Sequence, residues 1–316
     1  MRIALLLTVV LSAGCGDPFS NRLFEEDTLF VEALPDAAEL RSEAPEADDA
    51  EVRELGQRAA AVTLTRSISG VVNGLNRWLL NTLDHIVDQP ITTREDDARI
   101  WGPYDWPERD DAVVRLVVER IESGEFTYRL EGARTGDAPE FARLLEGSFS
   151  RLGDLREGNG VFTYYADAVA NLIEDGGGGT MTSEYTARPG GVTLYSEFDQ
   201  WIEADGSIRD WDYYFEVQRG AGGLFEFRTP AEVTGGEGSA PEVWHIRSRW
   251  GADRVGRADA IATGGDTTGR TPSVECWDAD LDRIYFRLGS ATSPAVEEGT
   301  EDDCGLGIEE PRDLRD

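Results

Sequence analysis

Between Val62 and Asp88 the apolar residues Ile68, Val71, Val72, Leu75, Leu79, Leu83 and Ile86 recur at helical spacing, with Arg66, Asn73, Asn76, Arg77 and Asp84 on the other face. A period near 3.6 held over this length predicts one long amphipathic helix, stopped by Pro90. Gly70 and Gly74 mark a place for close packing on a sheet. From Arg94 onward the period changes to two. Phe126, Tyr128 and Leu130 alternate with Thr127, Arg129 and Glu131. Trp211, Tyr213, Phe215 and Val217 alternate with Asp210, Asp212, Glu216 and Gln218. Trp244, Ile246 and Trp250 alternate with His245, Arg247 and Arg249, and Ile284, Phe286 and Leu288 with Arg283, Tyr285 and Arg287. Such alternation predicts antiparallel strands with one buried and one wet face. Gly- and Asp-rich turns, among them Ser123-Gly124, Pro189-Gly190-Gly191 and Asp278-Ala279-Asp280, divide the chain into about ten to twelve strands. A short helix is expected near Asp167–Ile173.

The pattern predicts a mainly β (α+β) fold: a curved antiparallel meander or incomplete barrel, with the Val62–Asp88 helix packed in or across its mouth. Sequential hairpins leave sheet edges and an apolar face that need covering, and this helix is the one available cover. Its face at Ile68, Val72, Leu75, Leu79 and Leu83 is expected to meet Phe126, Tyr128, Trp211, Tyr213, Ile284 and Phe286. The domain is expected over residues 61–290, preceded by an acidic tether over 15–60 and followed by an acidic tail over 291–316.

The first residues form a separate unit. Arg2 precedes an apolar run, Ile3–Leu11, too short to span a bilayer, and then Leu11-Ser12-Ala13-Gly14-Cys15. Small residues directly before a cysteine resemble the signal of bacterial lipoproteins, although Ser12 stands where a leucine-like residue is usual. The resemblance implies a signal peptide over 1–14, acylation of Cys15, and attachment to a membrane of the bacterial cell envelope through that lipid. Gly16, rather than aspartate, after the cysteine favours the outer membrane. Thr92-Thr93-Arg94-Glu95 with Trp101-Gly102-Pro103, and later Gly256-Arg257-Ala258-Asp259, Gly264-Gly265-Asp266 and Glu275-Cys276-Trp277-Asp278, are similar to segments of uncharacterised β-rich bacterial lipoproteins. That group implies an address and a fold, and no activity.

Charge narrows the partners. Asp and Glu number 62 against 30 Lys and Arg, a net charge of −32. Such a field repels the phosphates of nucleic acid, so no nucleic-acid partner is expected. No lysine occurs, which removes Schiff-base and lysine-nucleophile chemistry. Of the three cysteines, lipidation of Cys15 leaves Cys276 and Cys304. In an exported chain an even pair reads as a disulfide.

Candidate chemistry is sparse. Asp278, Asp280 and Asp282 alternate as in a calcium loop, but Arg283 and Gly289 stand where Gly and Glu are needed, so a hairpin turn is the better reading. The two histidines, His85 and His245, lack partners at metal-ligand spacing. No Gly-x-Ser-x-Gly motif exists, and Gly176–Gly179 lacks the Lys and Ser/Thr of a phosphate loop. No metal, cofactor or enzymatic activity is expected. The aromatics Trp101, Tyr104 and Trp106, and Trp201, Trp211 and Tyr213, are candidates for holding a glycan or apolar ligand, with core filling as the competing role. The expected function is a lipid-anchored, non-enzymatic binding or structural module. The alternatives are a carrier of an apolar ligand in a half-barrel cavity and a carboxylate-based hydrolase.

Overall fold

The computed structural model describes residues 18–36, 40–42, 44–45, 55–106, 109–136, 140–153, 157–173, 177–202, 206–231, 242–265, 267, 269–312 and 314. Cys15 and the segment before it lie outside them. Among the described residues fifteen strands form one antiparallel sheet in which every strand pairs with its neighbours in sequence. They are β1 (Ile91–Arg94), β2 (Ala98–Trp106), β3 (Arg109–Glu122), β4 (Glu125–Arg134), β5 (Ala142–Arg151), β6 (Gly158–Tyr165), β7 (Thr180–Arg188) and β8 (Gly191–Ile202). They continue as β9 (Ile208–Gln218), β10 (Gly222–Ala231), β11 (Glu242–Gly251), β12 (Gly256–Thr263), β13 (Arg270–Trp277), β14 (Arg283–Ser290) and β15 (Ser293–Gly299). Three helices accompany them: α1 (Pro18–Val31), α2 (Ala60–Val87) and α3 (Ala166–Ile173). The sheet is curved and open, not a closed barrel, and the fold is mainly β at 56% strand.

Cross-strand register gathers the apolar side chains on the concave face. Trp101 sits opposite Leu116, which sits opposite Leu130 and then Leu145. Farther along, Phe198 opposes Trp211, Tyr213 opposes Phe227, and Phe227 opposes Ile246. These side chains join one continuous core with Val72, Leu79, Leu80, Leu83 and Ile86 of α2. Gly160 and Gly256 give the curvature room. A Cβ on Gly160 would come within 2.2 Å of the Tyr185 ring, and one on Gly256 within 2.2 Å of the Trp277 ring. Each glycine leaves room for a neighbouring ring to lie across the strand.

Helix α2 is laid across this face. Its first-turn amides, Ala60 N–H and Ala61 N–H, donate to the Glu275 carboxylate of β13 at 3.0 and 2.5 Å. Thr65 shares a 2.7 Å hydrogen bond with Ser248 of β11, and the helix also packs on β2 and β3. Val72, Leu79 and Leu83 of α2 and Phe126, Tyr128 and Tyr213 of the sheet, expected to face each other, are buried in one core, in which Phe126 meets Phe30 of α1. Ile284 and Phe286 differ, being only half-buried. Strand β14 lies next to β13, where α2 begins, and Phe286 covers the Arg283 guanidinium at 4.6 Å instead.

Two terminal segments depart from expectation. The stretch expected as a tether carries α1, whose Phe30 is fully buried edge-on against Phe126. Asp27 of α1 pairs with Arg94 and Arg99 at 3.0 and 2.6 Å, and Glu26 reaches Arg120 at 3.4 Å. Acidic residues that look solvating in sequence find arginines on the sheet. The stretch expected as a tail opens with β15, hydrogen-bonded along β14, and continues onto the convex face of the sheet.

Substituting Leu79, 1% exposed, by aspartate is expected to unfold the domain, because an unpaired charge in a packed apolar site costs several kcal/mol. Leu75→Asp, at a half-buried position, should be milder. Gly256→Ala should lower the melting temperature although it adds only a methyl group. Thermal unfolding by circular dichroism measures all three.

Candidate functional site

The aromatic candidates fall into two groups on one face. On β2, Trp101 and Trp106 are buried in the core, and the Tyr104 hydroxyl donates to the Pro90 carbonyl. On β8 and β9, Trp211 stacks on Phe198 at 3.8 Å, Trp201 meets the same ring edge-on at 5.1 Å, and Tyr213 follows at 6.2 Å. Tyr213 is fully buried, and it accepts a hydrogen bond from Ser196, which is bonded in turn to Ser183. Burial pushes the Tyr213 phenol up to about 12, with Ser196 and Asn76 beside it pulling it partly back. These rings fill the trough beneath α2.

The convex face of β10–β14 carries a different arrangement. Arg247, Arg249 and Arg287 occupy alternating positions that read as wet in sequence, yet Arg247 and Arg287 are buried, as is Arg257 beside them. The C-terminal strap over residues 300–312 covers them. Glu301 pairs with Arg257 at 3.1 Å and Arg287 at 2.7 Å. Glu309 pairs with Arg247 at 3.0 Å and Arg249 at 2.7 Å. The strap backbone joins in: the Arg249 guanidinium donates to the Gly307 carbonyl, Glu309 N–H donates to Asp259, and Arg312 N–H donates to Glu226. Glu226 also pairs with Arg247, and His245 Nε2 lies 2.9 Å from its carboxylate. His245 is thus part of a charged network, not a free surface residue.

The Cys276–Cys304 disulfide pins this strap, with a Cα–Cα distance of 5.6 Å. Closing a loop of 28 residues stabilises the fold by about 3.5 kcal/mol on the chain-entropy view. The Asp278–Asp282 stretch is a hairpin turn: Asp278 Oδ1 accepts the amides of Asp280 and Asp282 at 3.0 Å each. Among the described residues no three His, Cys, Asp or Glu side chains group as metal ligands.

The third feature is a cleft of about 1040 Å³ at one rim of the sheet, beside the first half of α2. In a meander, alternate hairpins emerge at the same rim, so the β9–β10 and β11–β12 turns bring Arg219 and Arg254 there. Arg41, Arg58 and Arg66 face them from the chain leading into α2 and from α2 itself. Among the described residues one carboxylate, Asp280, lines the same cleft. Sequence reasoning missed this site, because its arginines are scattered in number and unite only through topology. The available signal was arginine in hairpin turns and before the long helix of a strongly acidic chain.

Two outcomes are expected for the strap. Cys304→Ser should lower stability by about 3 kcal/mol and raise amide exchange over 300–312. Desolvation raises the carboxyls of Glu301 and Glu309, but hydrogen bonds and charge from Arg257 and Arg287, and from Arg249 and Arg247, outweigh it and hold both below the usual glutamate value. The stabilisation is therefore complete above the usual glutamate range and is lost as the pH falls below it through the lowered folded values. Hydrogen exchange at pH 7 and at acid pH should show the strap loosening on acidification.

No protein-family model, curated protein or solved structure matches the chain.

Proposed function

We propose that the protein is a lipid-anchored lipoprotein of the bacterial cell envelope that works by binding, not by catalysis. The observation that carries the binding part is the contrast between a trough filled by aromatic side chains and α2 and a rim cleft left open to solvent. A carrier of apolar ligands needs the trough emptied, which means moving a helix held at Glu275, Ser248 and the core. The anchoring part rests on Cys15 after Ser12-Ala13-Gly14. Only Gly16 and Asp17 separate that cysteine from α1, and α1 is paired to the sheet through Glu26 and Asp27. Lipid on Cys15 therefore connects to the folded body through a docked helix, and the body rides near the membrane surface.

Metabolic labelling with a tagged fatty acid is expected to mark the wild-type protein and not Cys15→Ser, which should be released from membranes in soluble form. Equal labelling of the two would remove the anchoring reading and leave the binding reading to be decided by ligand.

A further inference from the structure

The rim cleft has the composition of an anion site. Among the described residues five arginines line it against one aspartate, in a chain whose net charge is −32. Beneath α1 and on the convex face arginines meet carboxylates, as Arg99 meets Asp27 and Arg257 meets Asp259. Here Arg41, Arg58, Arg66 and Arg219 hold no ion pair among the described residues. Guanidinium groups gathered without counter-charges raise a local positive potential, and an anion entering the cleft relieves it.

The positions are fixed by backbone. Ser42, next to Arg41, donates its amide and hydroxyl to Asn73 of α2 at 2.8 and 3.0 Å. Arg58 is bridged to Asp282, and the Ala59 amide donates to the Leu281 carbonyl. Arg66 belongs to α2, and the Trp277 indole donates to the Arg254 carbonyl at 3.0 Å. Segments distant in sequence thus present guanidinium groups around one volume, with little rearrangement needed.

We infer that this cleft binds a small anion bearing phosphoryl groups, through Arg41, Arg58, Arg66 and Arg219. The planar guanidinium fork matches phosphoryl oxygens in pairs, and several such forks suit a group carrying two or more charges in little space. The volume exceeds a single phosphate and accommodates a phosphorylated small molecule or a headgroup. The overall negative field works against extended polyanions and anionic bilayers, while a small anion enters the local positive potential of the cleft. This inference goes beyond the proposed envelope role and stands whether or not Cys15 carries lipid.

The test uses the full chain in a non-ionic detergent, with pyrophosphate as the probe, by isothermal titration calorimetry at constant ionic strength. One saturable site is expected, weakened about tenfold or more by Arg66→Gln and by Arg219→Gln. Arg219 is exposed on a hairpin turn, so that variant should keep the wild-type melting temperature and separate binding from folding. Displacement of pyrophosphate by dihexanoyl phosphatidic acid would assign the phosphoryl group to a lipid headgroup. Pyrophosphate binding without such displacement would assign it to a soluble small molecule. Absence of saturable binding, equal affinity for succinate, or wild-type affinity in both variants would overturn the site.

Discussion

An open sheet with an apolar concave face has to be covered, and most of this molecule follows from how that is done. From β2 to β13 the sheet runs about 53 Å along its surface at the usual strand spacing. Helix α2, with 28 residues, is about 42 Å long. The helix reaches from β13 to β2 because the sheet is bowed and the helix takes the chord. The Glu275 carboxylate holds one end of that chord. It accepts two first-turn amides, where the helix dipole favours negative charge, and pairs with Arg283 at 2.6 Å. A buried carboxylate is tolerated there because its oxygens are satisfied by three donors.

The convex face is organised by charge. Its arginines are covered by a strap that engages them through Glu301, Glu309 and backbone carbonyls, and the disulfide fixes that strap at Cys304. Arginine suits the task better than lysine, because its fork engages a carboxylate and a backbone carbonyl together, as Arg249 does with Glu309 and Gly307. At the rim, Arg41, Arg58, Arg66 and Arg219 line the cleft without an ion pair among the described residues. The outer strand is protected by similar means: β15 carries Pro294, Glu297 and Glu298, which discourage a further strand from adding.

The parts of this fold legible in sequence are those whose pattern is set by burial against apolar neighbours. The spacing of Val72, Leu79 and Leu83 identified α2, and the alternation in β4, β9 and β11 identified the sheet. Cysteine parity identified the Cys276–Cys304 bridge. The parts that were not legible are those held by ion pairs. Helix α1 has only a few apolar residues, and Glu26 and Asp27 read as solvating until Arg94 and Arg99 are placed beside them. Strand β15 and the strap read as a tail for the same reason, and Arg247 and Arg287 read as wet because alternation reports side, not cover. The rim cleft needed the topology, since Arg41 and Arg254 are neighbours only after the meander is folded.

The order of strands carries a consequence for assembly. Each strand pairs with its neighbours in sequence, so every addition to the sheet closes a local connection and loses little entropy. Helix α2 precedes every strand, yet its first turn docks on Glu275, 215 residues later. A chain emerging from its N-terminus thus carries a greasy helix that gains its cover gradually, one strand at a time, and is secured only when β13 arrives. The growing end of the sheet is exposed throughout this interval. Vectorial folding of this molecule is a race between extension of the sheet along its own helix and pairing of that edge with another chain.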